Sequence, residues 1–110
     1  MDVDAAAAMA RALPGVTEGD HHGRPAFRVG GTKIIATVWS AGQLNLMVGE
    51  ELAHASAGRP GVELLLWGER LSGVRVELAV VEPDLLDELL EDAWTRRAPA
   101  SLRRPPGEGT

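Results

Sequence analysis

The chain has no cysteine and no tyrosine, and one phenylalanine among its 110 residues. Without cysteine there is no disulfide, no thiolate metal site and no cysteine nucleophile; the absence fits a reducing compartment. No apolar run approaches the roughly 20 residues that a membrane-spanning helix needs. The amino terminus, Met1-Asp2-Val3-Asp4, is acidic where a secretory signal is basic, and an apolar core does not follow it. The expectation is a cytoplasmic protein with no membrane partner. Catalytic and nucleotide motifs are missing too: no Walker pattern, no G-x-G-x-x-G after a strand, no H-E-x-x-H, and no G-x-S-x-G around Ser40, Ser56, Ser72 or Ser101. An enzyme is therefore not expected, nor a cofactor or a bound metal.

What is present is enough for one domain. Hydrophobic residues make up 45% of the chain, so a core can form without staples. Net charge is −5, which disfavours phosphate binding by the chain as a whole. The charge is unevenly placed. Residues 82–92 carry Glu82, Asp84, Asp87, Glu88, Glu91 and Asp92 and no base. Setting those six aside leaves eleven bases against ten acids, a net +1. Residues 21–49 carry Arg24, Arg28 and Lys33 and no acid at all.

Alanine-rich residues 2–12 read as a helix capped by Asp2 or Asp4 and stopped at Pro14-Gly15. Residues 16–23, polar and glycine-containing, read as a loop. Residues 24–29 alternate, with Pro25, Phe27 and Val29 on one side and Arg24, Ala26 and Arg28 on the other, as in a half-buried strand. Gly30-Gly31 signals a two-residue hairpin turn into a second strand, 33–39. A third strand spans 43–48, a short helix 49–57 and a fourth strand 62–67. A loop at 68–73 leads to a fifth strand, 74–81. Residues 83–97 form the clearest helix: Leu85, Leu86, Leu89, Leu90, Ala93 and Trp94 make one apolar stripe, with acids at its start and Arg96 and Arg97 at its end. Residues 1–99 then form one domain and 100–110 a disordered tail. The predicted fold is α+β in two layers, a mostly antiparallel five-stranded sheet with helices on one face, in the order α-β-β-β-α-β-β-α.

The run His21-His22-Gly23-Arg24-Pro25-Ala26-Phe27-Arg28-Val29, preceded by Leu13-Pro14-Gly15-Val16-Thr17-Glu18 and followed by Lys33-Ile34-Ile35-Ala36-Thr37, resembles the MmcQ/YjbR family of small bacterial proteins. So does the stretch from Val76-Glu77-Leu78 through Leu85 to Trp94 and on to Ala98-Pro99. The resemblance implies a two-layer α+β fold similar to that of type III secretion chaperones. It also implies DNA binding, with two hairpins as wings. Thr32 is a departure: the family usually passes from the hairpin glycine straight to lysine, so the turn and the place of Lys33 stay open.

Three groups of residues are candidates for function. A two-residue turn at Gly30-Gly31 would set Arg28 opposite Lys33 and Arg24 opposite Thr37. These would share an outer sheet face with Ile35, Trp39, Gln43, Asn45 and Met47, while Phe27, Ile34, Ala36, Val38, Leu44 and Leu46 would face the core. Such a face could hold phosphates and stack a base; it also suits an ordinary solvated sheet with Trp39 under a loop. Arg70 and Arg75 could form a second wing, with Glu69 and Glu77 nearby opposing it. Together the nucleic-acid candidates are Arg24, Arg28, Lys33, Trp39, Arg70 and Arg75. In the second group, Glu18, Asp20, His21 and His22 have metal or acid–base chemistry, but adjacent histidines in an extended segment point apart, which favours a plain polar loop. The third, His54, has no partner near it in sequence and reads as surface. The acidic helix is a solvated face over a leucine stripe, or a shield that keeps polyanions to the opposite side. Expected partners are DNA, bound weakly and with salt dependence, or a protein partner or second copy.

Overall fold

The computed structural model describes residues 1–103. Helix α1 is Val3–Arg11, and Asp2 caps it, its Oδ1 accepting from the Ala5 amide at 2.9 Å. Six strands follow: β1 Val16–His21, β2 Arg24–Val29, β3 Lys33–Ser40, β4 Gln43–Leu46, β5 Val62–Trp67 and β6 Arg70–Glu77. Helix α2, Glu50–Ser56, lies between β4 and β5; α3, Pro83–Arg97, and a single turn α4, Ala100–Arg103, close the described chain. All strand pairs are antiparallel, in the order β1-β2-β3-β4-β6-β5.

The α+β architecture agrees with the sequence reading, with one strand more. The extra strand is β1, whose residues Val-Thr-Glu-Gly-Asp-His were expected to loop. Its side chains are mostly exposed, so it shows no apolar alternation. It forms because it pairs along its whole length with β2, from Val16 opposite Val29 to His21 opposite Arg24. The expected loop at 68–73 is instead a tight turn at Gly68-Glu69, with Trp67 opposite Arg70. Strand β6 thus starts four residues early. It also stops at Glu77, because the amides of Val80 and Val81 both donate to the Glu77 carbonyl and curl the chain out of the sheet. At the far end, residues 100–103 were expected in a disordered tail; they form α4, whose Leu102 packs against the core. The rest of that expected tail lies outside the described residues.

The β2–β3 register departs from the expected one. Thr32 makes the connection three residues long, so Lys33 faces Val29 and Arg28 faces Ile34. A bulge at Ile35 then shifts the register again, setting Phe27 opposite Ala36 and Ala26 opposite Thr37. The bulge exchanges the two isoleucines: Ile35 is fully buried in the core, and Ile34 lies on the outer face. The expected facing pair Arg28–Lys33 does not form.

Helix α3 lies over β3 and β4, α2 over β5 and β6, and α1 against β1. Between the layers, Leu85, Leu86, Leu89, Leu90 and Ala93 of α3 meet Phe27, Ile35, Ala36, Leu44, Leu46, Val74 and Val76 of the sheet. Two polar contacts fix the helical layer. The Trp94 indole N–H donates to the Pro14 carbonyl at 2.8 Å, and the Gly49 amide donates to Asp92 Oδ2 at 2.8 Å. Gly73 lets β6 run close under the end of β4, since a Cβ there would strike the Leu46 carbonyl oxygen. No helix among the described residues is long and apolar enough to cross a membrane.

Truncating a fully buried stripe residue should therefore cost far more than truncating an exposed leucine. Leu89→Ala is expected to lower unfolding free energy by about 2–5 kcal/mol. Leu66→Ala, at a site 51% exposed, should change it by less than about 0.5 kcal/mol. Urea denaturation of the two variants measures both.

Candidate nucleic-acid interface

With all the packed helices on one side, the other face of the sheet is open, and it is concave. A hollow of about 550 Å³ runs along β3 and β4. Ile34, Thr37 and Trp39 of β3 form its floor with Asn45 of β4 and Met47 beyond it. His21, His22 and Arg24, at the β1–β2 tip, form one wall; Leu65, Trp67 and Ser72 of the β5–β6 hairpin form the other. Arg97, reaching up from the helical layer, closes one end. Among the described residues, no carboxylate lines this hollow.

Trp39 organises the upper half. The bulge at Ile35 brings Arg24 level with it, and the Arg24 Nε donates to the Trp39 carbonyl at 3.2 Å. The guanidinium carbons of Arg24 and Arg75 each lie 4.2 Å from the indole centroid, Arg24 coming from β2 on one side of β3 and Arg75 from β6 on the other. Such contacts draw a cation to the electron-rich ring face. Arg75 also donates from Nε to Asn45 Oδ1 at 2.9 Å. Asn45 and Thr37 are buried beneath this layer although they sit on the outer face. Trp39 is thus committed to two arginines, and the indole open to stack a base is Trp67, 71% exposed at the β5–β6 tip.

The six sequence candidates fall into three places. Arg24, Trp39 and Arg75 come together. Arg28 lies apart, its guanidinium donating to the Asp20 carbonyl at 3.2 Å across β1. Lys33 and Arg70 lie at the opposite end of the groove, each beside Arg96 and Arg97. Arg75 also borders a shallow depression with Glu63 and Glu77, which offsets its charge on that side.

Among the remaining candidates, Glu18 pairs with Arg11 at 2.9 Å, and Asp20 Oδ2 accepts from the Gly23 amide at 3.2 Å. His21 and His22 do not point apart: His22 has φ +53° in the turn, and the two rings meet edge-on at 4.4 Å between centroids. The rule for extended chain fails there because the chain is already turning. Among the described residues, no group of three or more His, Cys, Asp or Glu is placed to hold a metal ion. His54 lies 3.9 Å from Glu50 on the surface of α2. Sequence reasoning missed Trp67, Arg96 and Arg97. Trp67 was legible as the last residue of a strand before Gly68-Glu69; the two arginines read as a helix terminus complementing its dipole, and only the fold brings them to the groove.

The YjbR family model matches residues 11–96, which span everything from the end of α1 to the last turn of α3. The chain belongs to the YjbR family. The match takes in all six strands and the whole of the groove floor. No curated protein and no solved structure matches this YjbR chain.

If Trp39 and Arg24 interact as their geometry indicates, they should be energetically coupled. A double-mutant cycle of Arg24→Gln with Trp39→Leu is expected to give a coupling of about 0.5–1 kcal/mol in unfolding free energy, and simple additivity would show the stacking to be idle.

Proposed function

We propose that this YjbR-family chain binds nucleic acid along the concave outer face of its sheet, with single-stranded or unstacked DNA as the ligand and no chemistry performed on it. The reading rests on one observation: Arg24, Arg97, His21, His22, Trp39 and Trp67 line a groove that no carboxylate of the described residues enters, in a chain of net charge −5. Guanidinium groups attract the phosphate backbone, and an exposed indole at the rim offers a surface for a base of any sequence. A hollow of about 550 Å³ suits bases rather than a duplex. From Ile34 to Trp39, at roughly 3.3 Å per residue, the floor is about 17 Å long, room for a few nucleotides. The acids of α3 lie on the helical layer and leave this face the favourable one for a polyanion. Cytoplasmic placement suits such a ligand.

A second reading has its own support. Strand β5 is a sheet edge whose Leu66 and Trp67 are exposed. A protein partner or a second copy of the chain could add a strand there. Such a contact would depend on concentration and little on salt.

Fluorescence anisotropy of a labelled single strand at about 50 and 200 mM salt tests the first reading. Affinity should fall with a log–log slope of about −0.7 per phosphate engaged. Arg24→Glu should weaken binding about tenfold or more, and a duplex should bind more weakly than the strand. Undiminished binding by Arg24→Glu, or none by the native chain at low salt, would contradict the reading.

A further inference from the structure

Strand β4 has four residues, while its neighbours β3 and β6 have eight each. Beyond Leu46 the sheet therefore splits. The first residues of β3 and β6 continue on either side with no β4 ladder between them, although the Met47 amide still donates to the Ile35 carbonyl at 2.9 Å. The C-terminal turn of α3 lies under this split, and its arginines reach into it.

Three cations meet there. Lys33, Arg96 and Arg97 line a hollow of about 270 Å³ to which no other described residue contributes. Arg70 and Ser72 join Arg96 and Arg97 around an adjoining hollow of about 440 Å³, where Glu50 is the one acid among the described residues. The ion pairs found among the described residues, Arg11–Glu18 and His54–Glu50, involve none of these cations. Asp92, the acid nearest in sequence on α3, accepts from the Gly49 amide, and on that side Arg96 borders a depression with Glu50, Glu51, Glu88, Glu91 and Asp92. The Arg96 guanidinium is steadied by donating to the Met47 carbonyl at 3.1 Å. The Arg97 Nε is buried and lacks a hydrogen-bond acceptor among the described residues. A buried N–H of that kind calls for an acceptor.

We propose that this split is an oxyanion site that takes a phosphate group, held between Lys33, Arg96 and Arg97, with Arg70 able to reach a second phosphate beside it. The guanidinium fork matches phosphate geometry, and Lys33 adds a point charge beside it. A phosphate would supply the acceptor that Arg97 lacks and relieve three like charges at once. Burial first, and the charge of Arg96 second, hold the Arg97 guanidinium below its ordinary value, a penalty an anion would reverse. Arg97 lines both this site and the groove above it. The site goes beyond the nucleic-acid reading, because it should bind phosphate alone, whether that group belongs to a strand end or to a free small phosphate.

The test is titration of the full chain with inorganic phosphate and with pyrophosphate, followed by calorimetry and by amide NMR shifts. Saturable binding with a Kd of about 1 mM or tighter is expected, with pyrophosphate the tighter and shifts centred on residues 33–34 and 96–98. Lys33→Gln, an exposed change that should keep the fold, is expected to weaken binding about tenfold. Arg24→Gln should leave it unchanged, so loss of strand binding in that variant with phosphate binding intact separates this site from the groove. Comparing 5′-phosphorylated with unphosphorylated oligonucleotides identifies the bearer. Tighter binding of the phosphorylated strand, lost in Lys33→Gln, assigns the site to strand ends; equal binding of the two, with pyrophosphate still bound, assigns it to a free phosphate compound. Absence of saturable phosphate and pyrophosphate binding up to about 10 mM, or unaltered binding by Lys33→Gln and Arg96→Gln together, would overturn the proposal.

Discussion

The leucine stripe of α3 is seated on the inner face of β3 and β4, where Leu86, Leu89 and Leu90 are buried against Phe27, Ile35, Leu44 and Leu46. That contact places the hydrophobic core on one side of the sheet. Helices α1 and α2 extend the same layer over β1 and over β5 and β6. The other side of the sheet must then meet water or a ligand. Its residues suit that position: Ala26, Thr37 and Asn45 are buried on the outer face beside Trp39 and its flanking arginines, a thin second layer rather than a second core.

The same helix governs the charge. Its acids lie along the solvent side of the helical layer, and its last turn carries Arg96 and Arg97 to the split in the sheet. A whole-chain charge of −5 therefore coexists with a groove lined by cations and, among the described residues, by no carboxylate. The arginines there are restrained. Arg24 and Arg75 hold Trp39, Arg75 also holds Asn45, and Arg96 holds Met47. Side chains already fixed by packing and hydrogen bonds lose little further freedom when an anion arrives.

Much of this architecture is written in local pattern. The α3 stripe and the β5 span 62–67 follow from local pattern alone, and capping chemistry narrows the α1 cap to Asp2 or Asp4, of which the fold uses Asp2. Three features do not, each for a physical reason. Strand β1 lacks apolar alternation because its side chains stay in solvent and its order comes from the backbone of β2. The exchange of Ile34 and Ile35 depends on a bulge and on the extra loop residue Thr32, which swap those two side chains and leave Ala36 in the core and Thr37 and Trp39 on the outer face. The pairing of Lys33 with Arg96 and Arg97 joins positions more than sixty residues apart, which only the packing of α3 under the split β4 end can bring together. Of the six residues picked from sequence, Arg24, Trp39 and Arg75 form one cluster, Lys33 and Arg70 belong to the other end, and Arg28 lies outside both.

The chain carries three tryptophans, and the fold sets them in distinct surroundings: Trp39 on the groove floor, Trp67 on its rim, and Trp94 in the helical layer with its indole N–H on Pro14. Their three indole N–H resonances in a proton–nitrogen correlation spectrum report directly on which face a ligand meets. On addition of a short single-stranded oligonucleotide at low salt, the signals of Trp39 and Trp67 should move progressively and saturate together, while that of Trp94 stays in place. Movement of Trp94 with Trp39 and Trp67 unchanged, or no movement of any of the three, would contradict the assignment of the outer sheet face as the binding surface.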